Sequence, residues 1–158
     1  MSLRHIHLIF FLSRATPLSR WSEMGIFDRE VKLYQELSRI LGKVSLVTSG
    51  GIEELDFQKS LPGITICYNR WQLSPNLYSL FAPWLHMTTL KKGNIYKTNQ
   101  LDGAWTAALS ARLHHKPIII RLGYLWAESY RKNGEKGLKT SLIKSLQYLS
   151  LKSDNRIV

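Results

Sequence analysis

Arg121 ends an otherwise apolar run, Ile118-Ile119-Ile120. A guanidinium there is costly unless a partner or an anionic ligand meets it, which makes Arg121 the leading candidate for anion recognition. Asn99, Gln100 and Asp102 form a second group just after the run at 95–98. Their donors and acceptors suit sugar hydroxyls, and the same residue types also serve as helix caps. Arg14, Arg20, Trp21 and Gly25 lie in a third stretch, residues 13–25, ahead of a helical pattern. Basic side chains and free amides at a helix start could together hold an anion there, and an ordinary long strand-to-helix loop reads equally well. Gly50-Gly51, followed by Glu53 and Glu54, is either a close backbone approach to a ligand or a plain turn with solvated acids, and the turn is favoured.

Other chemistries lack their signatures. His114 and His115 are adjacent rather than ligand-spaced, and Cys67 is the single cysteine. No G-x-S-x-G elbow, G-x-G-x-x-G or Walker motif occurs, so no metal site is expected and the signal for a nucleotide is weak, although a small-molecule-binding domain of another Rossmann-like family would place a nucleotide site in this half. His5 and His7 share a strand face without further ligands and read as structural.

The elements that must position these residues are short apolar runs at 7–13, 43–48, 64–68, 95–98 and 117–122, separated by helical patterns. Continuous rather than alternating apolarity indicates strands covered on both faces, hence a parallel α/β sheet with helices on either side. Between the first two runs, Ile26, Phe27, Leu33, Tyr34, Leu37, Ile40 and Leu41 fall on one helical side, with Asp28 and Glu30 in the first turn and Gly42 at the end. A second helix is expected after Ser74-Pro75, capped by Ser74 and burying Leu77, Leu80, Phe81, Trp84 and Leu85. A third, 103–114, carries Ala104, Ala107, Ala108 and Ala111, small enough to lie close on the sheet. A fourth, 137–151, places Leu138, Leu142, Leu146 and Leu149 on one stripe with Lys139, Lys144 and Lys152 elsewhere. It reads as a surface helix or as a contact for anionic lipid. Asn155-Arg156-Ile157-Val158 resembles the opening of a sixth strand, so the sheet is expected to break off there, in a fragment of a longer enzyme or a short product. In a parallel sheet the loops after the strands form one rim, and the candidate residues all fall on it.

The 158 residues, 44% hydrophobic and 11% aromatic, suffice for one ordinary domain with a core. A net charge of +11 favours phosphate-bearing partners, but the basic residues are spread without a Lys/Arg-rich tail, which argues against nucleic acid. Cys67 sits in an apolar run as a small buried hydrophobe, and with no internal disulfide available a cytoplasmic setting fits, with contact at an inner membrane surface peripheral only. The apolar stretch at 8–12 is a buried strand rather than a signal peptide.

Together these pieces resemble a family. Trp21-Ser22-Glu23-Met24-Gly25 with Asp28-Arg29-Glu30, Val44-Ser45-Leu46-Val47-Thr48 with Gly50-Gly51, Lys97-Thr98-Asn99-Gln100 with Gly103-Ala104, and Lys116-Pro117 through Arg121-Leu122-Gly123-Tyr124 are similar in order and spacing to the N-terminal domain of GT-B glycosyltransferases, in particular the retaining group called family four. The resemblance implies a Rossmann-like acceptor-side domain without its donor domain. A nucleotide sugar would then be the donor for the whole enzyme, and no cofactor is expected in this chain. The acceptor would be a glycan or lipid-linked sugar, and the isolated chain inactive. Many members carry a histidine near the strand end that here finishes in Arg121 and Tyr124. Its absence leaves those two as substitutes. The competing reading is a non-enzymatic α/β module that binds anions or a membrane surface through the basic segment around Lys136 to Lys144.

Overall fold

The computed structural model describes residues 2–121. Tyr124, the basic helix expected at 137–151 and the strand opening at 155–158 lie outside the described residues. Five strands, β1 (His7–Phe11), β2 (Lys43–Val47), β3 (Ile64–Cys67), β4 (Ile95–Thr98) and β5 (Ile118–Ile119), pair in parallel in the order β3-β2-β1-β4-β5. The helices are α1 (Leu18–Glu23), α2 (Phe27–Ile40), α3 (Pro75–Leu85), α4 (Met87–Leu90) and α5 (Ala104–His114), and a 3-10 helix, Ile52–Ser60, joins β2 to β3. This is an open Rossmann-like α/β sheet. The chain builds outward from β1 to β3, then crosses back to lay β4 against the other side of β1. The crevice past the carboxyl ends of β1 and β4 is therefore the topological switch point, where open parallel sheets bind ligands.

Side-chain alternation along each strand explains the continuous apolar runs. Leu8 and Phe10 of β1 join Val44, Leu46, Trp21, Val31 and Tyr34 in one core, while Ile9 and Phe11 join Val47, Tyr96, Tyr78, Ala82 and the alanines of α5 in another. Both faces are filled, so neither could tolerate a polar stripe. Ala104, Ala107, Ala108 and Ala111 are buried as expected. Gly103 is required by the same closeness: a Cβ there would lie 2.6 Å from the Leu12 carbonyl oxygen.

Several expectations are corrected. Residues 18–23, expected in a loop, form α1. On α2, Leu33 and Ile40 are exposed rather than buried, because Val31 and Tyr34 set the inward face, with the Tyr34 ring stacked on Phe10 at 3.7 Å between centroids. Helix α3 is rotated relative to its most apolar stripe. It buries Tyr78, Ser79, Ala82 and Pro83 and leaves Leu77, Leu80, Phe81 and Trp84 exposed, with Leu85 half-buried. The reason is the Tyr78 hydroxyl, 3.3 Å from the Cys67 carbonyl and 2.7 Å from His86 Nε2, together with small residues that let α3 sit against α5. There His114 Nε2–H donates to the Pro83 carbonyl at 3.3 Å. Ser74 occupies the N-cap position, but its side chain makes no capping bond. Cys67 is buried as expected. His7 is buried with Nε2 2.8 Å from Ser45 Oγ, whereas His5 is exposed and precedes the strand.

His86 ties this side of the fold to pH. Burial first, and the Arg70 charge second, push its imidazole down to about 4 from 6.5. The hydrogen-bond pattern that satisfies both contacts has His86 Nε2–H donating to Tyr78 Oη and the Tyr78 hydroxyl donating to the Cys67 carbonyl. Between about 4 and 6.5 the unfolded chain takes up this proton more readily than the folded one, so stability falls as pH drops through that window. Urea unfolding of the wild type and His86→Gln near pH 7 and near 4 is expected to show acid destabilisation that is smaller in the variant, by on the order of 2 kcal/mol. His7 and His114, also pushed down mainly by burial, add to the slope in the same direction. An equal acid loss in both proteins contradicts the assignment.

No helix among the described residues is long and apolar enough to cross a membrane.

Candidate functional site

The switch point holds a cleft of about 220 Å³ lined by Ser13, Trp21, Arg29, Glu30, Asn99 and Gln100, among others. Ser13 lies two residues past the end of β1, and Asn99 directly follows the end of β4. Main-chain pairing holds the two together, with Asn99 N–H donating to the Phe11 carbonyl at 3.0 Å. Ser13 Oγ is buried and has no hydrogen-bond partner among the described residues. A buried hydroxyl without a partner is uncommon in folded proteins, and Ser13 is one of the residues around the cleft.

A charged cluster borders this cleft on the α2 side. Lys97, between buried Tyr96 and Thr98 in β4, directs its Nζ to the Tyr34 hydroxyl at 3.2 Å and lies over the rings of Phe10 and Tyr34 at 5.2 and 5.4 Å. Burial first, then the Arg121 charge, lower the ammonium to about 8, while Glu30 opposes the shift. Burial likewise raises the Tyr34 phenol well above its ordinary range. Arg121 Nη1 is 3.6 Å from Glu30 Oε2 and 3.5 Å from Asn99 Oδ1, and its backbone N–H donates to Thr98 Oγ1 at 3.1 Å. Its side chain is 51% exposed, so Arg121 is not the costly buried charge expected from sequence but a half-solvated cation at the rim. With Lys97 and Arg121 around one Glu30, which Arg29 also approaches at 3.0 Å, the cluster carries surplus positive charge.

The other expected residues divide. Asn99 is buried and Gln100 exposed, both on the cleft. Trp21 is fully buried in the core and forms the cleft floor. Gly25 allows the turn between α1 and α2 at a φ of +66°, faces open space and is not among the residues that line the cleft. Arg14 faces away from the cluster. It donates to Asn76 Oδ1 at 2.8 Å and pairs with Asp102 at 3.4 Å, so both charges are already partnered. Burial raises the Asp102 carboxyl, against the pull of Arg14.

The anion-holding helix start is expected after Gly25, at α2; the start that is occupied is that of α1, inside the stretch read as loop, and its occupant is a carboxylate of the protein itself. Glu54, fully buried, accepts from Leu18 N–H at 2.8 Å, Ser19 N–H at 3.0 Å and Thr48 Oγ1 at 2.7 Å. The expectation of a solvated acid is thus overturned, and the amides of α1 are not free for a ligand. Gly50 is required by this arrangement, since a Cβ there would lie 2.4 Å from Glu54 Cδ. Gly50 and Gly51 do not line the cleft. Among the described residues no group of three or more His, Cys, Asp or Glu side chains gathers to hold a metal ion.

No family model, curated protein or solved structure matches this chain. The site therefore stands on its own chemistry, which is that of a polar, cation-rimmed recess. Sequence reasoning passed over Lys97, Glu30, Tyr34 and Ser13 as site residues. Lys97 carried a readable signal: a charge inside a buried strand, the same argument that singled out Arg121.

Proposed function

We propose that this chain is the acceptor-binding part of a glycosyltransferase that moves a sugar from a nucleotide-sugar donor to a glycan or lipid-linked acceptor. The cleft between the ends of β1 and β4 would receive the acceptor. One observation carries the reading: Lys97 and Arg121 converge beside a cleft lined by buried Asn99 and by Ser13, whose hydroxyl has no partner among the described residues. Two cations select a negatively charged group, such as the phosphate of a lipid-linked sugar, and the amide and hydroxyl suit sugar hydroxyls. The order of motifs along the chain and the Rossmann-like sheet agree with the GT-B resemblance. In this reading the donor and the catalytic carboxylates belong to a second domain.

Titration calorimetry with glucose 6-phosphate, glucose, inorganic phosphate and UDP tests the assignment. Saturable binding of the sugar phosphate, tighter than that of glucose or phosphate alone, is the expected result. Arg121→Gln should weaken it about tenfold through loss of a charge-assisted hydrogen bond. UDP saturating the chain while the sugar phosphate fails to bind would make this a nucleotide domain and overturn the proposal.

A further inference from the structure

The second candidate surface lies on the opposite side of the sheet from α2. On α3, Leu77, Leu80, Phe81 and Trp84 are 49%, 42%, 46% and 49% exposed, and Met87 of α4 is 38% exposed. The spacing i, i+3, i+4, i+7 puts the α3 residues on a single stripe, so this is a continuous outward apolar face rather than scattered exposure. Charge is divided between the two sides of the sheet. Between residues 57 and 127 the one acid is Asp102, already paired with Arg14, whereas Arg70, Lys91, Lys92 and Arg112 are exposed in that stretch. Glu23, Asp28, Glu30, Glu36, Glu53 and Asp56 all belong to the α1, α2 and 3-10 segments on the other side.

We infer that the outer face of α3 and α4 is a docking surface for an anionic phospholipid bilayer. Trp84, Phe81, Leu77 and Leu80 sit at headgroup depth, and Lys91 and Lys92 meet the lipid phosphates. An apolar stripe bearing Trp and Phe and flanked by lysines is the composition of an interfacial helix. Charge decides among occupants. A second copy would bring the same basic face, acid-free among the described residues, and the chain's own segment 137–151 is basic as well through Lys139 and Lys144, so both meet like charge. An anionic membrane alone supplies the opposite sign over an area this wide. The contact does not depend on what the cleft binds.

Flotation of the full 158-residue chain with phosphatidylcholine vesicles, with and without phosphatidylglycerol, tests this. Binding is expected to need the anionic lipid and to weaken in high salt. The double variant Phe81→Ser/Trp84→Ser, whose sites are exposed and whose fold is checked by circular dichroism, should bind about a hundredfold more weakly. Lys91→Gln/Lys92→Gln should lose about tenfold or more, at roughly 1 kcal/mol per lysine converted to affinity. Leu138→Ser/Leu142→Ser should bind as the wild type does. Equal binding to neutral vesicles overturns the inference, as does full binding by the Phe81/Trp84 variant. Dimerisation relieved by that variant assigns the face to a second copy, and lipid binding that appears only in the Leu138/Leu142 variant assigns it to the chain's own segment. Both of those outcomes also overturn it.

Discussion

Replacing Glu54 with alanine is expected to destabilise the chain by about 4 kcal/mol, a large part of the stability of a domain of this size. The magnitude follows from what the carboxylate satisfies. Helix α1 begins after Pro17, which has no side-chain acceptor with which to cap it. Its first amides, Leu18 N–H and Ser19 N–H, are instead capped from 36 and 35 residues away by the two oxygens of Glu54, one of which also accepts from Thr48 Oγ1. Alanine leaves three donors in a dry interior, each costing about 1–3 kcal/mol, and opens a cavity as well. Glu54→Gln keeps the volume and one acceptor but turns an NH₂ group toward an N–H donor, so roughly half the loss is expected. Gly50→Ala should resemble it, because the added Cβ forces the Glu54 side chain from its place. Urea midpoints at unchanged slope measure all three. A loss below about 1 kcal/mol for Glu54→Ala would show that the helix start finds water instead. The effect extends to the cleft, since α1 carries Trp21, its floor, and Arg20 on its lining. Sugar-phosphate binding by the Glu54 variants should therefore weaken even where they remain folded.

The same contact shows why part of this fold was readable from sequence and part was not. The strands were readable because burial on both faces demands unbroken apolar runs, and β4 falls at 95–98 as expected for that reason. Helix α5 was readable from its alanines, which have no other reason to cluster. Helix α1 was not, because six residues are too short for a periodic signal and its cap lies beyond β2. Glu53 and Glu54 are adjacent and identical in type, yet Glu53 is exposed and accepts from Gly51 N–H two residues back, while Glu54 is buried and organises a helix start. Helix α3 carries two interleaved stripes, and hydropathy selects the stripe through Phe81 and Trp84. The fold selects the one through Tyr78 and Ala82, because close approach to α5 and a phenol bonded to the Cys67 carbonyl outweigh apolar content. At the site, Arg121 was found on the assumption of a buried charge. The argument in fact fits Lys97, whose amine lies among aromatic rings.

Lys97→Met is expected to make the protein more stable and less able to bind an anion. The folded ammonium titrates at about 8 against 10.5 for a free lysine, so the folded state holds this proton less tightly than the unfolded one. Between those two values the unfolded chain binds more protons, and stability rises with pH across the window. Below about 8 both states are charged and the full penalty remains. Methionine keeps most of the stem that packs on Phe10 and Tyr34 and removes the charge, so at neutral pH stability should rise by on the order of 1–2 kcal/mol, allowing for partial solvation of the amine. Residues that lower stability where they stand are retained for what they bind, and a half-buried cation beside the cleft is such a residue. Glucose 6-phosphate should accordingly bind Lys97→Met at least about tenfold more weakly, through loss of a charge-assisted contact. In the wild type, affinity should fall as pH rises through about 8, while the variant should show no inflection there. Phosphate itself is already fully charged in that range, so the inflection reports the protein. A Lys97→Met protein that is less stable than wild type, or that binds the sugar phosphate equally well, would mean that the amine is held by Tyr34 and Glu30 as a structural ion and that the cleft draws its charge from Arg121 alone.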